Sequence, residues 1–332
     1  MNLDKLNLLL QEQKPYRIKQ AKKAIYQEFI SDWEQATTLP LDLRQRLQAV
    51  CSLEIKATEK ISVGGQTIKA LIKLDDVVNI ETVLMRHNDG RNTVCVSSQA
   101  GCPVGCIFCA TGAMGFQRNL NATEIIEQVI YFARILKANN EKVTNVVFMG
   151  MGEPFLNYEN VIAAIRILND PEAFNLGARK ISVSTSGIVP GIEKFAKENF
   201  QVNLAISLHA PNDKLRSRLM PINETYSIED LLSAVNKYLQ NNPRRVMFEY
   251  LMISGINDSE KCARELAELL SHPLYLVNLI KYNKTSGKYQ SSDNKTISQF
   301  MGVLLAAGIP TTQRFSFGHE INAACGQLAG QR

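Results

Sequence analysis

The sequence predicts an α/β protein, in which a partial (β/α)6 barrel follows a small N-terminal helical domain and a β-hairpin extension. From residue 92 onward, six short apolar segments typical of strands alternate with six amphipathic segments typical of helices. This alternation predicts a parallel sheet with helices outside it. Because a closed barrel needs about eight strands, six units indicate an open one.

The first 50 residues form the predicted helical accessory domain, with helices over 3–13, 16–32 and 41–50. A segment at residues 14–23 contains five basic residues and no acid. They are Lys14, Arg17, Lys19, Lys22 and Lys23. Such a segment is either a solvated helix face or a contact surface for nucleic-acid phosphates.

Residues 51–91 form the predicted β-hairpin connecting region. Polar and apolar side chains alternate along residues 67–74, as expected of a half-buried strand. The pair Gly64-Gly65 supplies the turn, because two glycines accept the positive φ angles that tight hairpins require.

Residues 92–332 form the predicted barrel domain. Its strands are expected at 92–98, 144–149, 180–185, 201–207, 245–251 and 274–281, with a last short strand at 311–317. Its helices are expected near 123–138, 158–169, 190–198, 229–241, 259–271 and 296–307. Asn121 and Glu124 are spaced as a capping box for the first of these helices. Ligands of such sheets bind at the carboxyl ends of the strands.

Three cysteines follow the first barrel strand with the spacing Cys-x3-Cys-x2-Cys: Cys102, Cys106 and Cys109. Thiolates are the usual ligands of iron–sulfur clusters, and a [4Fe–4S] cluster takes four ligands. Three leave one iron open to a small molecule. A zinc knuckle is the alternative, but no second Cys-x2-Cys or His pair completes it. The spacing and the aromatic Phe108 resemble the cluster loop of radical S-adenosylmethionine (SAM) enzymes. That resemblance implies a SAM molecule on the open iron.

Several polar residues fall where later strands should end. Gly152 would let the backbone approach a ligand, and Glu153 offers a carboxylate to an ammonium group. Ser184, Ser207 and His209 offer further polar groups, and Asn283 follows the sixth strand. Each of these could equally be a structural hydrogen-bonding residue.

Two other cysteines are candidate reactive thiols. Cys325 lies in a small-residue segment without helical amphipathicity, which predicts a flexible loop outside the core. A thiol on such a loop is a nucleophile if its thiolate is favoured. Cys95 lies in the first barrel strand, where a buried structural cysteine is the simpler interpretation.

Taken together, eight motifs resemble those of the RlmN/Cfr family of RNA adenosine methyltransferases. They are residues 95–102 (CVSSQAGC), 106–112 (CIFCATG), 118–120 (RNL), 148–154 (FMGMGEP), 182–187 (SVSTSG), 207–209 (SLH), 219–223 (LMPIN) and 324–328 (ACGQL). The resemblance covers nearly the whole chain and implies a radical SAM barrel that carries a C-terminal catalytic-cysteine loop.

The resemblance implies a mechanism with a [4Fe–4S] cluster and two SAM molecules. One SAM methylates Cys325, and the other yields a 5′-deoxyadenosyl radical that takes hydrogen from the S-methyl group. The resulting carbon radical adds to the adenine ring. Glu81 matches the base that removes the ring proton, and Cys95 matches the thiol that releases the product as a Cys95–Cys325 disulfide. The implied cofactor contacts are Phe108, Gly152, Glu153, Ser184, Ser207, Leu208, His209 and Asn283.

Within the family, RlmN-like members methylate carbon 2 of adenosine 2503 in 23S rRNA and often adenosine 37 in tRNA. Cfr-like members methylate carbon 8 of the same rRNA base. Pro154 favours the RlmN-like branch, whereas residues 315–320 depart from its usual pattern. A cluster-bearing RNA-binding or redox protein without methyl transfer is the alternative from another class.

The amino-acid composition limits the class of protein, its partners and the cellular compartment that can be expected. The 332 residues are 45% hydrophobic and 21% charged, with a net charge of +5, which fits a globular protein and permits an RNA partner. No long apolar run or secretory signal is present, so we expect a cytoplasmic protein with no membrane partner. We also expect a monomer that receives electrons from a low-potential donor.

Overall fold

The computed structural model describes residues 3–76, 78–285 and 289–330, and a ten-stranded sheet organises them. The strands are β1 (Ala57–Ile61), β2 (Thr67–Lys73), β3 (Asn79–Arg86), β4 (Asn92–Cys95), β5 (Gln99–Gly101), β6 (Phe116–Asn119), β7 (Asn145–Phe148), β8 (Ile181–Thr185), β9 (Asn203–Ser207), β10 (Val246–Met252), β11 (Tyr275–Lys281) and β12 (Thr311–Arg314). The sheet has the order β1-β2-β3-β4-β7-β8-β9-β10-β11-β12, and β5 and β6 form a separate pair.

Helices connect the parallel strands and precede the sheet. They are α1 (Leu3–Gln11), α2 (Pro15–Tyr26), α3 (Leu41–Val50), α4 (Ala110–Ala113), α5 (Ala122–Ala138), α6 (Tyr158–Asn169), α7 (Val189–Phe195), α8 (Asp213–Leu219), α9 (Ile228–Asn241), α10 (Glu260–Leu269) and α11 (Asn294–Ala306). Among the described residues, none of these helices combines the length and the apolar character needed to cross a membrane.

The predicted α/β barrel is confirmed, and the sheet extends it at both ends. Strands β4 and β7 to β11 are the six predicted strands, and β12 adds a seventh that pairs in parallel with β11. The predicted capping box starts α5: the Asn121 side chain accepts the Glu124 N–H at 2.9 Å, and the Glu124 carboxylate accepts the Asn121 N–H at 2.9 Å. The connecting helices pack in neighbouring pairs, such as α7 with α9 and α10 with α11.

The region before the barrel is a three-stranded antiparallel meander, one strand more than a hairpin. Gly64 and Gly65 make the predicted turn, with φ angles of 88° and 72°. Strand β3 then pairs with β4, so the meander continues the barrel sheet. In this register Val83 lies opposite Cys95. Since side chains alternate along a strand, Glu81 lies on the same face as these two residues.

The N-terminal helices share the core of the barrel instead of forming a separate core. One cluster of buried apolar side chains runs from Leu6 to Leu328. The Arg134 guanidinium on α5 donates to the backbone oxygens of Phe29, Ile30 and Leu53. Helix α2 ends at Tyr26, earlier than the expected residue 32, because the chain turns at Phe29, whose φ is 52°.

The segment that carries Cys325 differs from its expected character. It has little regular structure, as predicted, but Ala323, Ala324 and Leu328 are buried. The expectation that this segment lies outside the core is therefore wrong for these three residues. Small and apolar side chains let an irregular segment pack closely, which a search for helical amphipathicity does not detect.

Candidate active site

The three cysteines of the predicted cluster loop line one cavity of about 170 Å³ at the carboxyl ends of the parallel strands. The loop is held at its base by the pairing of β5 with β6. Gly101 has a φ of 73°, and a Cβ atom there would lie 1.9 Å from the Gly115 carbonyl oxygen. The tight base of the loop therefore requires glycine at this position.

The chemistry of these thiols fits an iron–sulfur cluster. Burial raises the pKa of Cys102 to about 12 and that of Cys106 well above its ordinary value, and neighbouring thiolates raise both further. A cationic centre would offset both effects. Within the described ranges, no three His, Cys, Asp or Glu side chains converge to hold a single metal ion. In a cluster each thiolate binds a different iron, so separated thiols suit a cluster better than a zinc ion.

Glu153 forms the wall of this cavity after β7. Its carboxylate accepts N–H groups from Phe155 at 3.0 Å and Ser186 at 2.6 Å. Burial raises the pKa of Glu153, and these two donors lower it. A ligand ammonium would stabilise the charged form further. Gly152 has a φ of 96°, and a Cβ there would meet the Gln99 side chain at 2.5 Å.

Four polar side chains line the cavity beside Glu153: Ser184, Ser186, Ser207 and His209. The hydroxyls of Ser184 and Ser207 lie 3.5 Å apart where β8 and β9 end. His209 Nδ1 accepts the Leu251 N–H at 3.1 Å, and burial lowers the pKa of His209 to about 3. The imidazole is therefore neutral with its proton on Nε2, which can donate to a ligand. Phe108 packs edge-on against this ring, with centroids 5.1 Å apart.

The other two implied cofactor contacts lie outside the lining of this cavity. Leu208 is fully buried, and its backbone bonds to Glu249 and Arg216. Asn283 follows β11, and its side-chain amide donates to the Cys325 carbonyl oxygen at 3.3 Å. The structure therefore gives Asn283 a contact to the segment of Cys325.

Cys325 lies between two cavities, and this position relates the candidate reactive thiols. It lines the cavity of the cluster cysteines and also a smaller one that Cys95 lines. Both are free thiols. Burial, followed by the nearby charge of Cys325, raises the pKa of Cys95 to about 12, while Arg314 lowers it. The two sulfur atoms are thus close enough to interact electrostatically.

Glu81 lies in an ion pair beneath the segment that carries Cys325. Its carboxylate contacts Lys69 Nζ at 2.8 Å and accepts the Ala329 N–H at 2.8 Å. Both Glu81 and Lys69 are buried, and Lys69 also donates to the Asn322 carbonyl oxygen at 3.0 Å. The pair therefore holds both ends of this segment against β2 and β3.

Sequence reasoning missed two charged residues of the site. Arg314, at the end of β12, lines both cavities, and the charge of Cys325 is the largest cause of its raised pKa. Glu249 is a buried acid that lines the cluster cavity and accepts from the Asn278 amide at 3.0 Å. Arg314 is the one charged residue of its predicted strand, and Glu249 is the one acid of its own, which is the signal that could have identified them.

The basic segment of α2 is partly neutralised. Lys19 Nζ lies 2.6 Å from the Glu172 carboxylate, and Lys23 Nζ lies 3.6 Å from that of Glu28. Arg17 packs over the Tyr16 ring at 4.8 Å. For Lys19 and Lys23, these contacts favour a solvated helix face over a contact surface for nucleic-acid phosphates, two interpretations that the sequence left open.

Comparison with known proteins identifies the family. The model of the radical SAM superfamily matches residues 96–267. The "Probable dual-specificity RNA methyltransferase RlmN" of Dictyoglomus thermophilum is 47% identical over 94% of this chain and 90% of its own. The "Ribosomal RNA large subunit methyltransferase N" of Nitrosopumilus maritimus is 44% identical over 94% of this chain and 92% of its own.

A solved structure agrees with these relatives. The crystal structure of a radical SAM methyltransferase from Sphaerobacter thermophilus superposes with a TM-score of 0.95 at 46% identity, and covers 100% of this chain and 98% of that one. Similarity at this level extends over the N-terminal helices, the meander and the barrel alike. The chain therefore belongs to the RlmN family of radical SAM RNA methyltransferases.

Proposed function

We propose that this protein methylates carbon 2 of adenosine 2503 in 23S rRNA and of adenosine 37 in tRNAs, with Cys325 as the carrier of the methyl group. The observation that carries the proposal is the position of Cys325, which lines both the cavity of the three cluster cysteines and the cavity of Cys95. A thiol there can receive a group on one side and be attacked from the other. The names of the relatives support an RNA substrate.

The residues around the larger cavity have distinct binding roles in this proposal. Cys102, Cys106 and Cys109 hold a [4Fe–4S] cluster. Glu153 binds the ammonium group of SAM, and the hydroxyls and the His209 Nε2–H bind its other polar groups. When bound, the cluster supplies the electron, drawn from a low-potential donor, that cleaves SAM to a 5′-deoxyadenosyl radical. Phe108 and the other apolar residues of the lining exclude water from that radical.

The groups that complete the reaction lie in and beside the smaller cavity: Cys95 lines it, and Glu81 lines a neighbouring surface groove. Addition of the methylene radical on Cys325 to the adenine carbon leaves one unpaired electron on the ring. That electron would return to the oxidised cluster, and Glu81 accepts the proton of that ring carbon. The Cys95 thiolate attacks the Cys325 sulfur. This breaks the sulfur–methylene bond, forms a Cys95–Cys325 disulfide and leaves the carbon to take up a proton. The disulfide is then reduced by a thiol donor before the next turnover.

Methylation of Cys325 itself prepares Cys95 for this attack. Burial is the largest cause of the raised pKa of Cys95 and the charge of a Cys325 thiolate is the second, whereas Arg314 lowers it. A methylated Cys325 is an uncharged thioether, so the repulsion is removed while Arg314 remains. Methylation therefore removes the part of the rise in the pKa of Cys95 that is due to Cys325, while the larger part, due to burial, remains.

The test is product identification under anaerobic conditions. The reconstituted protein is incubated with SAM, a reductant and an unmodified 23S rRNA fragment, and the digested nucleosides are analysed by mass spectrometry. 2-Methyladenosine is the expected product. 8-Methyladenosine would assign the Cfr-like reaction, and SAM cleavage without methylated RNA would contradict the substrate assignment.

A pair of variants tests the role of Cys325. C325A should abolish RNA methylation while the cluster and RNA binding persist. C262A is the matched control, because Cys262 is a half-buried thiol on α10 that lines neither cavity, and it should retain turnover. Full turnover by C325A would exclude the methyl-carrier mechanism. A protein that binds RNA but never methylates it would instead be the cluster-bearing RNA-binding protein of the alternative.

A further inference from the structure

A second, wider groove of about 1010 Å³ opens beside the catalytic cavities. One wall is formed by β1, including Lys60, and the other by the residues that follow β11 and β12, including Lys284 and Phe315. Arg314 lines this groove and both catalytic cavities, and Tyr282 lines the groove and the cluster cavity. The groove therefore leads from the surface to the position of Cys325.

The groove has an excess of positive charge that the protein does not neutralise. The groove is lined by two acids, Glu59 and Glu81, and by five basic residues: Lys60, Lys69, Lys281, Lys284 and Arg314. Glu81 is paired with Lys69, and the Glu59 carboxylate accepts the Tyr131 hydroxyl at 2.6 Å. Lys60 and Lys284 are exposed, and they form no ion pair with any other described residue. Two unpaired ammonium groups on opposite walls suit a polyanion that runs along the groove.

An exposed aromatic side chain accompanies these charges. Phe315 is 74% exposed at the rim, although a phenyl ring of that size is normally buried. It rests edge-on against Phe317 at 5.2 Å, and Phe317 rests edge-on against His87 at 4.7 Å. The exposed ring is therefore supported from behind by two others. An aromatic platform beside a basic groove is the combination used to bind unstacked nucleobases.

We propose that this groove binds a single-stranded stretch of the RNA substrate, with Phe315 stacked on an unstacked base and with Lys60 and Lys284 on phosphates. This inference rests on the proposed function and specifies how its substrate is held. Charge complementarity and the continuity of the groove with the cavity of Cys325 favour RNA as the occupant. An adenosine in a folded RNA must leave its stack to reach Cys325, and a stacking platform at the entrance stabilises the opened state.

The platform is tested by binding an RNA hairpin that contains the target adenosine, with 2-aminopurine at the neighbouring position. F315A in the cluster-loaded protein should weaken RNA affinity by about tenfold and reduce the fluorescence change on binding, since one stacked base is lost. F315W should retain both signals. L305A is the matched control, because Leu305 is a similarly exposed apolar side chain on α11, outside the groove. SAM cleavage without RNA should be unchanged in all three variants.

The phosphate contacts are tested separately by salt dependence. The double variant K60Q/K284Q should reduce the slope of log affinity against log salt concentration by about 1.4, the value for two phosphate contacts on a single strand. A wild-type slope in this variant, together with wild-type affinity in F315A, would overturn the proposal.

Two further outcomes separate this inference from the function on which it rests. If the wild-type protein methylates RNA but F315A and K60Q/K284Q bind it normally, only the groove assignment fails. If the wild-type protein does not bind the hairpin at all, the proposed function fails first. A third outcome is that the variants bind RNA with unchanged affinity but their clusters are reduced more slowly by an acidic flavodoxin. This would overturn the RNA assignment and identify the groove as the binding site of the electron donor.

Discussion

Replacing His209 should change how the stability of the protein depends on pH. The buried imidazole is held neutral, with a pKa of about 3 in the folded protein, whereas an unfolded histidine titrates near 6.5. As pH falls below 6.5, the unfolded chain binds a proton that the folded protein does not bind. The stabilising contribution is therefore present in full above that pH and is lost as pH falls towards 3.

The size of the effect follows from this difference. At pH 5 the solution is about 1.5 pH units below the pKa of the unfolded histidine, so protonation stabilises the unfolded chain by that amount. It stabilises the folded protein hardly at all, because the folded pKa is about 3. At about 1.36 kcal/mol per unit, the wild-type protein loses about 2 kcal/mol between pH 7 and pH 5 through this residue alone. H209N removes this contribution. Asn can still accept the Leu251 N–H through its side-chain oxygen, and it tolerates the φ of 58° at this position.

The assay is urea unfolding of wild type, H209N and H272N at pH 7 and pH 5. H272N is the control, because His272 is partly exposed and its Nδ1 also accepts a backbone N–H, from Leu274 at 3.1 Å. The raised pKa values of the buried acids Glu153 and Glu249 act in the opposite direction, but they are common to all three proteins and cancel in the comparison. Equal losses in wild type and H209N would refute the reasoning.

Three other changes test the site. C95A should stop turnover after one equivalent and leave RNA covalently attached to Cys325, which a denaturing gel would detect; release of methylated RNA in repeated turnovers would contradict the resolving role. E153Q should weaken SAM binding by about tenfold or more, because a charge-assisted hydrogen bond is lost, while the visible absorption of the cluster stays intact. Calorimetry measures the SAM affinity, and an unchanged affinity would contradict the contact between Glu153 and the SAM ammonium group. G152A should destabilise the protein by about 1–3 kcal/mol, because its Cβ meets Gln99 at 2.5 Å and its φ is 96°; an unchanged urea midpoint would show that the loop adjusts freely.

The fold was largely predictable because it depends on local patterns. The helix over Leu41–Val50 and the one over Tyr158–Asn169 have the bounds expected from the periodicity of their apolar residues. The last strand was expected from its composition, but its parallel pairing with β11 was not. Pairing partners are distant in sequence, so no local pattern specifies them. For the same reason, the sequence could not show that β3 joins the meander to the barrel sheet.

The candidate site, like the fold, was only partly predictable from the sequence. The cysteine loop, Glu153 and the serines could be identified from their place after predicted strands, and the structure places them around one cavity. The sequence could mark Arg314 only as a single charge within a predicted strand, because its importance depends on lying beside Cys95 and Cys325 at once. The buried pair of Lys69 and Glu81 likewise joins two strands, and its contact with the C-terminal segment spans about 250 residues of sequence.

The sequence by itself therefore determined the class of fold, and it identified three candidate cluster ligands and two candidate reactive thiols. These depend on residue type, spacing and short-range periodicity, which are written directly in the chain. Only the tertiary structure decided that Cys325 lies between two cavities, that Arg314 is close to both thiols, and that an exposed phenyl ring stands at the entrance of a basic groove. Electrostatic interaction and burial depend on distance in space, and that distance is set by long-range packing.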